Sequence, residues 1–442
     1  MRRFLLFLLL LVAVPLHAAT TPAEKLANDA AQHELDSSPE GGNIPSYSLK
    51  PADLVKAQHL DKVGTVLHFA TSIWSLVYTL ALMALGVVGW MQRTATSRFK
   101  NRWLQGATFL LLFVVITGFL DAPFSVYGHW LSLKYGLSVQ SWGSWLGDQA
   151  KSAGIALVIG ILLVMLLFWF IRKFPRRWWF GFWIVSIPIT LAGIFITPYV
   201  IDPLFNKFEP LQQSHPELVK RLEDVADRGH MNIPPDRMFL MKASEKVTTL
   251  NAYVTGFGSS KRVVVWDTSI AKGTPDEILF IFGHESGHYV LHHIVRGILV
   301  SMVITFITLY LGYLFVQWAI RRFGASWGIP TQNDWGALAV LLLAFSLFSF
   351  FLEPITSTLS RSQEHAADVY GMEAIHGIVT NPQETARGAF QVLGDTSYDL
   401  PNPNQFLEFW TYGHPSIGRR AAFAAHYDPW ADGYAPKYFP KQ

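Results

Sequence analysis

Six long apolar stretches constrain the fold of this chain more than any other feature of its sequence. Each is close to the roughly 17–25 residues with which an α-helix crosses a bilayer, and none contains Asp, Glu, Lys or Arg. Only 15% of the 442 residues are charged, well below the roughly 25% of soluble domains. Buried helices of a soluble core would not explain six uncharged runs, so we predict a multi-spanning α-helical membrane protein. The stretches are 64–90, 103–120, 153–171, 178–201, 298–320 and 335–352.

The start of the chain, 1–19, favours a signal peptide or a first membrane anchor. Two arginines precede an apolar run over 4–16, and the small residues Ala18 and Ala19 follow, as at a signal-peptide cleavage site. The run is shorter than a usual span, but its retention as an anchor stays open, which gives about six or seven transmembrane helices in total. Residues 20–63 are mixed and polar, and we expect them outside the membrane.

The distribution of Lys and Arg predicts how the chain crosses the membrane. The loops after the first, third and fifth stretches are basic and share one side if the spans alternate, whereas the loop 126–152 carries only Lys134 and Lys151. The positive-inside rule puts the basic loops in the cytoplasm. The polar segments 202–297 and 354–442 then both face the periplasm of a bacterial inner membrane. The basic residues are Arg93, Arg98, Lys100, Arg102, Arg172, Lys173, Arg176, Arg177, Arg321 and Arg322.

These assignments divide the chain into two membrane regions, each followed by one part of an extramembrane domain. Four helices occupy 64–201, and two more occupy 298–353. The first extramembrane part, 202–297, alternates helix-like and strand-like segments, and the second part, 354–442, is helix and loop with a tail rich in proline and aromatic residues. Because both parts lie on one side, we expect them to form one α+β domain.

A His-Glu-x-x-His motif in the first part indicates the chemistry. On a helix, His284 and His288 lie one turn apart on the same face, so both imidazoles reach one metal ion, with Glu285 between them. Zinc at such a site lowers the pKa of a water molecule and polarises a carbonyl while the glutamate carries protons, which suits peptide-bond hydrolysis. The flanking sequence predicts a helix that ends near Arg296. A chance match is the alternative until a third ligand is found.

The third ligand does not follow the motif directly. A catalytic zinc needs about three protein ligands, and the absence of cysteine leaves only His and carboxylate to supply them. Leu291 and Ile294 stand where one metallopeptidase class has a glycine and its third histidine, so that class is excluded. Three histidines on one straight helix cannot all face one ion. We therefore expect His292 and His293 to support a ligand or to lie in a loop.

A segment in the second part offers a better third ligand. Glu364 and Asp368 are four residues apart on one helical face, so Glu364 can bind zinc while Asp368 accepts the ring N–H of a ligating histidine. Ala366 and Ala367 permit the close helix packing that joins distant segments. We place Arg361 in support of these residues, and the alternative is a solvated helix on which Arg361 and Glu364 form a surface pair.

Two further features lie on the same predicted side of the membrane. Strand-like segments at 250–258 and 262–267, joined through a glycine-containing turn, predict a β-hairpin. His414 precedes a proline and can donate to the oxyanion of a tetrahedral intermediate, or it simply precedes a helix. The sequence leaves both interpretations of His414 open.

Together the motifs resemble the type I CAAX prenyl protease family of multi-spanning zinc metalloendopeptidases, which are gluzincins. The resemblance covers about 64–424, and its motifs are specific in combination. It implies a zincin-like (gluzincin) metalloprotease domain that holds one Zn²⁺ per chain through His284, His288 and Glu364, with Glu285 as the general base. The segments that carry it are 202–211, 250–258, 261–268, 284–288, 360–368 and 414–416.

The resemblance also implies how a substrate is held. Asn251, Ala252 and Tyr253 would belong to an edge strand that pairs with an extended substrate, and Asn251 and His414 would help to hold the scissile carbonyl. In this family the membrane helices enclose a large water-filled chamber with the zinc site at one end. The best-known reaction of the family removes the last three residues of a prenylated protein.

We therefore predict an integral-membrane zinc endopeptidase that acts on membrane-associated or misfolded proteins. Its expected partners are a peptide or protein substrate and membrane lipid, since a net charge of +3 is too small to indicate nucleic acid. The predicted periplasmic side differs from the cytosolic side of the eukaryotic members, so the prenylated substrate does not carry over. The alternative is a transporter or channel with a non-catalytic metal-binding module. It would place ionisable residues along the spans, and the six stretches contain no Asp, Glu, Lys or Arg.

Overall fold

The structure is a computed structural model that describes residues 20–256, 261–431 and 433–439. The predicted signal peptide or anchor at 1–19 and the turn of the predicted hairpin at 257–260 lie outside the described residues. The helices are α1 (Pro22–Asp36), α2 (Pro51–Ala84), α3 (Val87–Arg98), α4 (Arg102–Lys134), α5 (Trp142–Lys173), α6 (Trp178–Ile196), α7 (Asp202–Phe205), α8 (Leu211–Ser214), α9 (Pro216–Arg228), α10 (Asp267–Lys272), α11 (Pro275–Val290), α12 (His293–Trp327), α13 (Ala337–Ile375), α14 (Pro382–Ser397), α15 (Gln405–Thr411) and α16 (Ile417–His426). The strands are β1 (Phe208–Pro210), β2 (Met238–Met241), β3 (Ala252–Thr255) and β4 (Arg262–Trp266).

Six helices in the described part of the chain are long and apolar enough to cross a membrane, which confirms the predicted number outside 1–19. They are longer than the apolar stretches: α2 begins at Pro51 rather than at 64, and α4 continues to Lys134 rather than ending at 120. The extension of α4 passes through Asp121, whose carboxylate accepts a hydrogen bond of 3.1 Å from the Tyr78 hydroxyl on α2. Because the neighbouring helix satisfies this acid, the drop in hydropathy does not end the helix.

The sixth membrane helix and the segment that carries Glu364 are a single element. Helix α13 runs for 39 residues without a break and includes Pro354, so the predicted boundary between 353 and 354 falls inside a helix. A proline removes only one backbone hydrogen bond of a helix, and the bonds on either side can continue. The membrane region and the third predicted ligand are therefore joined by one continuous helix rather than by a linker.

The extramembrane domain contains a four-stranded sheet with the order β1-β2-β4-β3. Strands β3 and β4 pair antiparallel, with Ala252 opposite Val265 and Thr255 opposite Arg262, which confirms the predicted hairpin pairing. Strand β2 runs parallel to β4, and β1 pairs antiparallel with β2. Strand β3 lies at the edge of the sheet, as the resemblance implies for the segment that binds substrate.

Helices α11 and α13 cross at a contact between glycines. A methyl group on Gly371 would lie 2.8 Å from the backbone nitrogen of His284, and one on Gly283 would lie 3.2 Å from the Cα of Gly371. On the next turn, a methyl on Gly287 would lie 3.2 Å from the Cα of Ala367. The two backbones are therefore nearly in contact, and this crossing sets the distance between the motif at 284–288 and Glu364.

We expect Gly371→Ala to separate the two helices. Because the added methyl meets backbone rather than a flexible side chain, overpacking should cost about 1–3 kcal/mol and displace the ligands. The melting temperature and the metal affinity of the purified protein should both fall, as measured by thermal unfolding and chelator competition. Gly297→Ala on α12 is the matched control, since nothing lies within 4 Å of its added methyl. An unchanged metal affinity in Gly371→Ala would contradict the argument.

Candidate metal centre

Helix α11 presents the two motif histidines on one face. It starts with a capping box, in which the Thr274 side chain accepts from the Glu277 amide and the Glu277 carboxylate accepts from the Thr274 amide. The two histidines are four positions, about one turn, apart on this helix, and their Nε2 atoms are 3.1 Å from each other. The helix ends at Val290 and not near Arg296 as predicted, because His292 has a left-handed backbone (φ 60°) that turns the chain into α12.

Glu364 completes a three-residue ligand set. Its Oε2 lies 3.2 Å from His284 Nε2 and its Oε1 lies 3.4 Å from His288 Nε2. The ligand atoms of the three side chains all lie within 4.8 Å of one another. His284 and Glu364 are both buried. Helices α11 and α13 thus bring together the three predicted ligands. Glu364 follows His284 by 80 residues and His288 by 76 residues in the sequence.

The protonation of these groups fits a cation between them. His284 Nδ1 lies 2.8 Å from Asp368 Oδ1, which favours the tautomer with the ring proton on Nδ1 and leaves Nε2 to bind a metal. The buried Oε2 of Glu364 forms no hydrogen bond, although it is 3.2 Å from that Nε2. Two acceptors that face each other in a buried site repel, and a metal ion between them supplies the positive charge that both require. Two imidazoles and one carboxylate are a ligand set suited to catalytic zinc.

Asp368 and Arg420 support the ligands from behind. Arg420 donates from Nη2 to Asp368 Oδ1 at 2.6 Å and from Nε to Asp368 Oδ2 at 2.9 Å, which keeps the acid ionised while it accepts from His284. His288 is supported by His293, whose Nδ1 lies 3.0 Å from His288 Nδ1. The sequence predicted this function for Asp368 and, as one of two options, for His293. It gave no function to Arg420, because nothing in the local sequence shows which side chain a distant arginine will meet.

Arg361 does not contact the ligands, contrary to the prediction. Its guanidinium donates to the backbone carbonyls of Glu408, Phe409 and Tyr412, at 2.9, 3.2 and 2.7 Å. These carbonyls belong to the end of α15 and to the turn that follows. Arg361 lies one turn before Glu364 on the same side of the helix, but its long side chain reaches the carbonyls of α15 instead of the metal centre. Arg361 therefore fixes the segment that leads to His414.

His414 stands beside Glu364 at the mouth of a cleft. Its Nε2 lies 3.3 Å from Glu364 Oε1, and 66% of its side chain is exposed. The turn that carries it is fixed on both sides, because the Ser416 amide donates to Glu408 Oε1 at 3.0 Å and the Tyr412 hydroxyl donates to Asp61 at 2.9 Å. This position places His414 next to the ligands. A histidine that only precedes a helix would not need to lie there.

The cleft has a volume of about 420 Å³ and contains the predicted base. Glu285 lines it together with His284, His414 and Asn251. Burial raises the pKa of Glu285 above that of an ordinary glutamate, and the neighbouring imidazoles of His284 and His288 only partly offset this effect. A carboxylate with a raised pKa is a better proton acceptor at neutral pH.

The cleft reaches Asn251, the residue before β3, and β3 is an edge strand of the sheet. The Asn251 carbonyl accepts from the Trp266 amide at 3.1 Å, so the backbone of Asn251 faces β4. Since antiparallel pairing alternates along a strand, the N–H and C=O groups of Ala252 face the open edge, while those of Tyr253 face β4 again. The side chain of Ala252 is buried. Ala252 therefore offers backbone groups to an added strand, and Asn251 lies in the cleft itself.

We expect Asp368→Ala to lower metal affinity by about 10–100-fold, because His284 then loses the acceptor that fixes its ring and its tautomer. Chelator competition with metal analysis measures the change. Asp395→Ala is the control, since Asp395 is exposed on α14 and accepts only from Gln391 among the described hydrogen bonds. Equal metal affinities in the two variants would show that Asp368 does not support the site.

Comparisons with known proteins agree with this geometry. Residues 45–207 match the profile of the CAAX prenyl protease N-terminal family, described as five membrane helices, and residues 212–428 match peptidase family M48. The chain is 34% identical over 382 residues to an uncharacterized metalloprotease, YhfN, of Bacillus subtilis, covering 86% of this chain and 87% of the relative. It is 28% identical over 334 residues to CAAX prenyl protease 1 of Saccharomyces cerevisiae, covering 72% and 71%.

The fold is also similar to a crystal structure of Ste24p from S. mikatae, with a TM-score of 0.73 at 21% identity over 92% of this chain and all of that one. None of these matches supports the transporter or channel alternative, and they support an integral-membrane metalloendopeptidase. The chain combines a membrane region of the matching family with a ligand set on two crossing helices, and Glu285 lines the cleft beside these ligands. The chain therefore belongs to the CAAX prenyl protease family of membrane metallopeptidases, peptidase family M48.

Proposed function

We propose that this protein is a zinc endopeptidase with one zinc ion per chain, held by His284, His288 and Glu364. The observation that carries the proposal is the buried Glu364 Oε2, which lies 3.2 Å from His284 Nε2 without a hydrogen bond. When Nε2 is the unprotonated ring nitrogen, both atoms are acceptors, and a cation between them would satisfy both. Zinc at this site supplies a Lewis acid that polarises the scissile carbonyl and acidifies a water molecule.

Glu285 is the general base and then the general acid of this proposal. It lines the cleft next to the ligands, and burial raises its pKa. Its carboxylate takes a proton from the attacking water and passes it to the nitrogen of the leaving amine. Both proton transfers use the same oxygen atoms, so the substrate must present its carbonyl and its nitrogen on the same side of Glu285.

Substrate binding follows from the free edge of β3 and from His414. An extended peptide adds to the edge by hydrogen bonds with the backbone of Ala252, and Asn251 contacts the residues next to the scissile bond. His414 lies 3.3 Å from Glu364 Oε1, close enough to the ligands for its Nε2–H to donate to the oxyanion. Peptide recognition through backbone groups accepts many sequences, which suits an enzyme that removes misfolded proteins.

The membrane side of the site is part of the proposal. Lys and Arg residues cluster between α2 and the start of α4, at the connection between α5 and α6, and in the last turns of α12, and the positive-inside rule assigns these ends to the cytoplasm. We place the cleft in the periplasm of a bacterial inner membrane. Relatives carry the name CAAX prenyl protease, but prenylated proteins are not expected on this side, and membrane-associated or misfolded proteins are the proposed substrates.

Glu285→Ala should keep its zinc and abolish cleavage. The ligands His284, His288 and Glu364 are unchanged in this variant, whereas the proton carrier is lost. General acid–base catalysis contributes about 10²–10⁴-fold, so kcat should fall by at least about 10²-fold. Zinc by elemental analysis and cleavage of an unstructured peptide in detergent are measured on the same sample. Cleavage at the wild-type rate would disprove the mechanism, and loss of zinc would show that Glu285 has a structural function instead.

The orientation predicts the behaviour of a reporter fused after the last residue. A fluorescent protein that matures only in the cytoplasm should stay dark there, and alkaline phosphatase, which needs the periplasm, should be active. Fusions in the loop 174–177, between α5 and α6, should give the opposite pair of results. Fluorescence at the carboxyl end together with inactive phosphatase would place the cleft in the cytoplasm and restore a cytosolic substrate.

A further inference from the structure

A second acid, Asp399, lines the same cleft as Glu285. It lies in the turn after α14, and the apolar side chains of Leu393, Leu400 and Phe390 form the neighbouring wall. Neither the metal ligands nor the groups that support them involve this residue. The cleft therefore contains a carboxylate that the proposed chemistry does not use.

The backbone of Asp399 is held in place by its surroundings. Its amide donates to the Gly394 carbonyl at 3.0 Å, and its carbonyl accepts from the Tyr47 hydroxyl at 2.8 Å. The preceding residue, Tyr398, has a left-handed backbone (φ 54°), which is unfavourable for a side chain of this size and directs the chain back toward the cleft. The carboxylate is thus presented by a fixed turn rather than by a loose loop.

The charge of Asp399 has no partner among the described residues. No described side chain donates a hydrogen bond to its carboxylate or forms an ion pair with it. Arg420, which also lines the cleft, already donates to both oxygens of Asp368. Burial raises the pKa of Asp399 to about 6, and Arg420 opposes this only in part. The charge of Asp399 also raises the pKa of the nearby Tyr47 and Tyr412, and both tyrosines are neutral at pH 7.

We propose that Asp399 determines specificity, and that this cleft selects peptides that place a lysine or arginine side chain against its carboxylate. This inference rests on the proposed peptidase function and deepens it by naming the substrate class. A cleft of about 420 Å³ with an apolar wall beside Asp399 suits a basic side chain, because the methylene stem packs on the wall while the cationic head meets the Asp399 carboxylate. A partly buried acid without a partner among the described residues carries a desolvation cost, and a substrate cation relieves it.

The test compares peptides that differ at one position beside the scissile bond. Lysine, arginine, glutamate and norleucine are placed in turn at each position, and norleucine matches the lysine stem without its charge. At one position the wild-type enzyme should favour lysine over norleucine by about 10–100-fold in kcat/KM, largely through KM. In Asp399→Asn that ratio should fall toward one, and Asp399→Lys should favour glutamate. Asp395→Asn, on the exposed face of α14, should keep the wild-type ratio.

Three outcomes would overturn the inference. They are a wild-type ratio near one at every position, a ratio that survives in Asp399→Asn, and equal ratios in Asp399→Asn and Asp399→Glu. Zinc content and melting temperature of each variant exclude a folding defect as the cause. The same peptides are also titrated by calorimetry into Glu285→Ala, which binds without cutting. If Glu285→Ala binds the lysine peptides preferentially but the wild-type protein cleaves none of the peptides, the peptidase function is contradicted. The specificity proposed for Asp399 would still be supported.

Discussion

The metal centre depends on the crossing of α11 and α13 at Gly283 and Gly371. Helix axes usually lie about 8–10 Å apart, depending on the side chains between them. Here the residues at the crossing are glycines, and a methyl group on Gly371 would lie only 2.8 Å from the backbone nitrogen of His284. Glutamate has a short side chain, so Glu364 reaches the histidines only because the backbones touch. The ligand geometry is thus fixed by the helices and not by long, adjustable side chains.

Charge explains why the centre needs a cation and why it is supported from one side. Glu285, Glu364 and Asp368 are three acids close together, and Arg420 is the one guanidinium that contacts them among the described ion pairs. Two negative charges therefore remain uncompensated in a buried site, and a divalent cation neutralises them. Arg420 donates hydrogen bonds to Asp368 and lies 3.8 Å from Glu364 Oε2, so it keeps the acid behind His284 ionised without donating a hydrogen bond to the ligand oxygens.

The sequence predicted those parts of the site that depend on local spacing. One helical turn separates His284 from His288, and one turn separates Glu364 from Asp368, so each pair could be assigned to one face before the partner helix was known. The number of membrane helices followed in the same way from apolar length. Partners that meet only through the fold could not be predicted. Arg361 and Arg420 are both arginines near a motif. The packing of α15 and α16 alone decides which of them supports the ligands. Helix ends were missed for a related reason, because Tyr78 satisfies Asp121 from another helix.

The membrane region and the site are linked through two helices that reach both. Helix α13 leaves the last membrane span and carries Glu364 without a break, and α12 begins with His293, which contacts His288 at 3.0 Å. A change in the tilt of either membrane helix therefore moves a ligand or the residue that supports one. Since ligand positions matter at the level of a few tenths of an ångström, the bilayer that holds α12 and α13 also holds the metal centre. In the proposed function the cleft lies where these helices leave the membrane, so a substrate held at the membrane surface would reach Glu285 by diffusion in two dimensions, whereas a fully soluble protein would have to find the same cleft from solution.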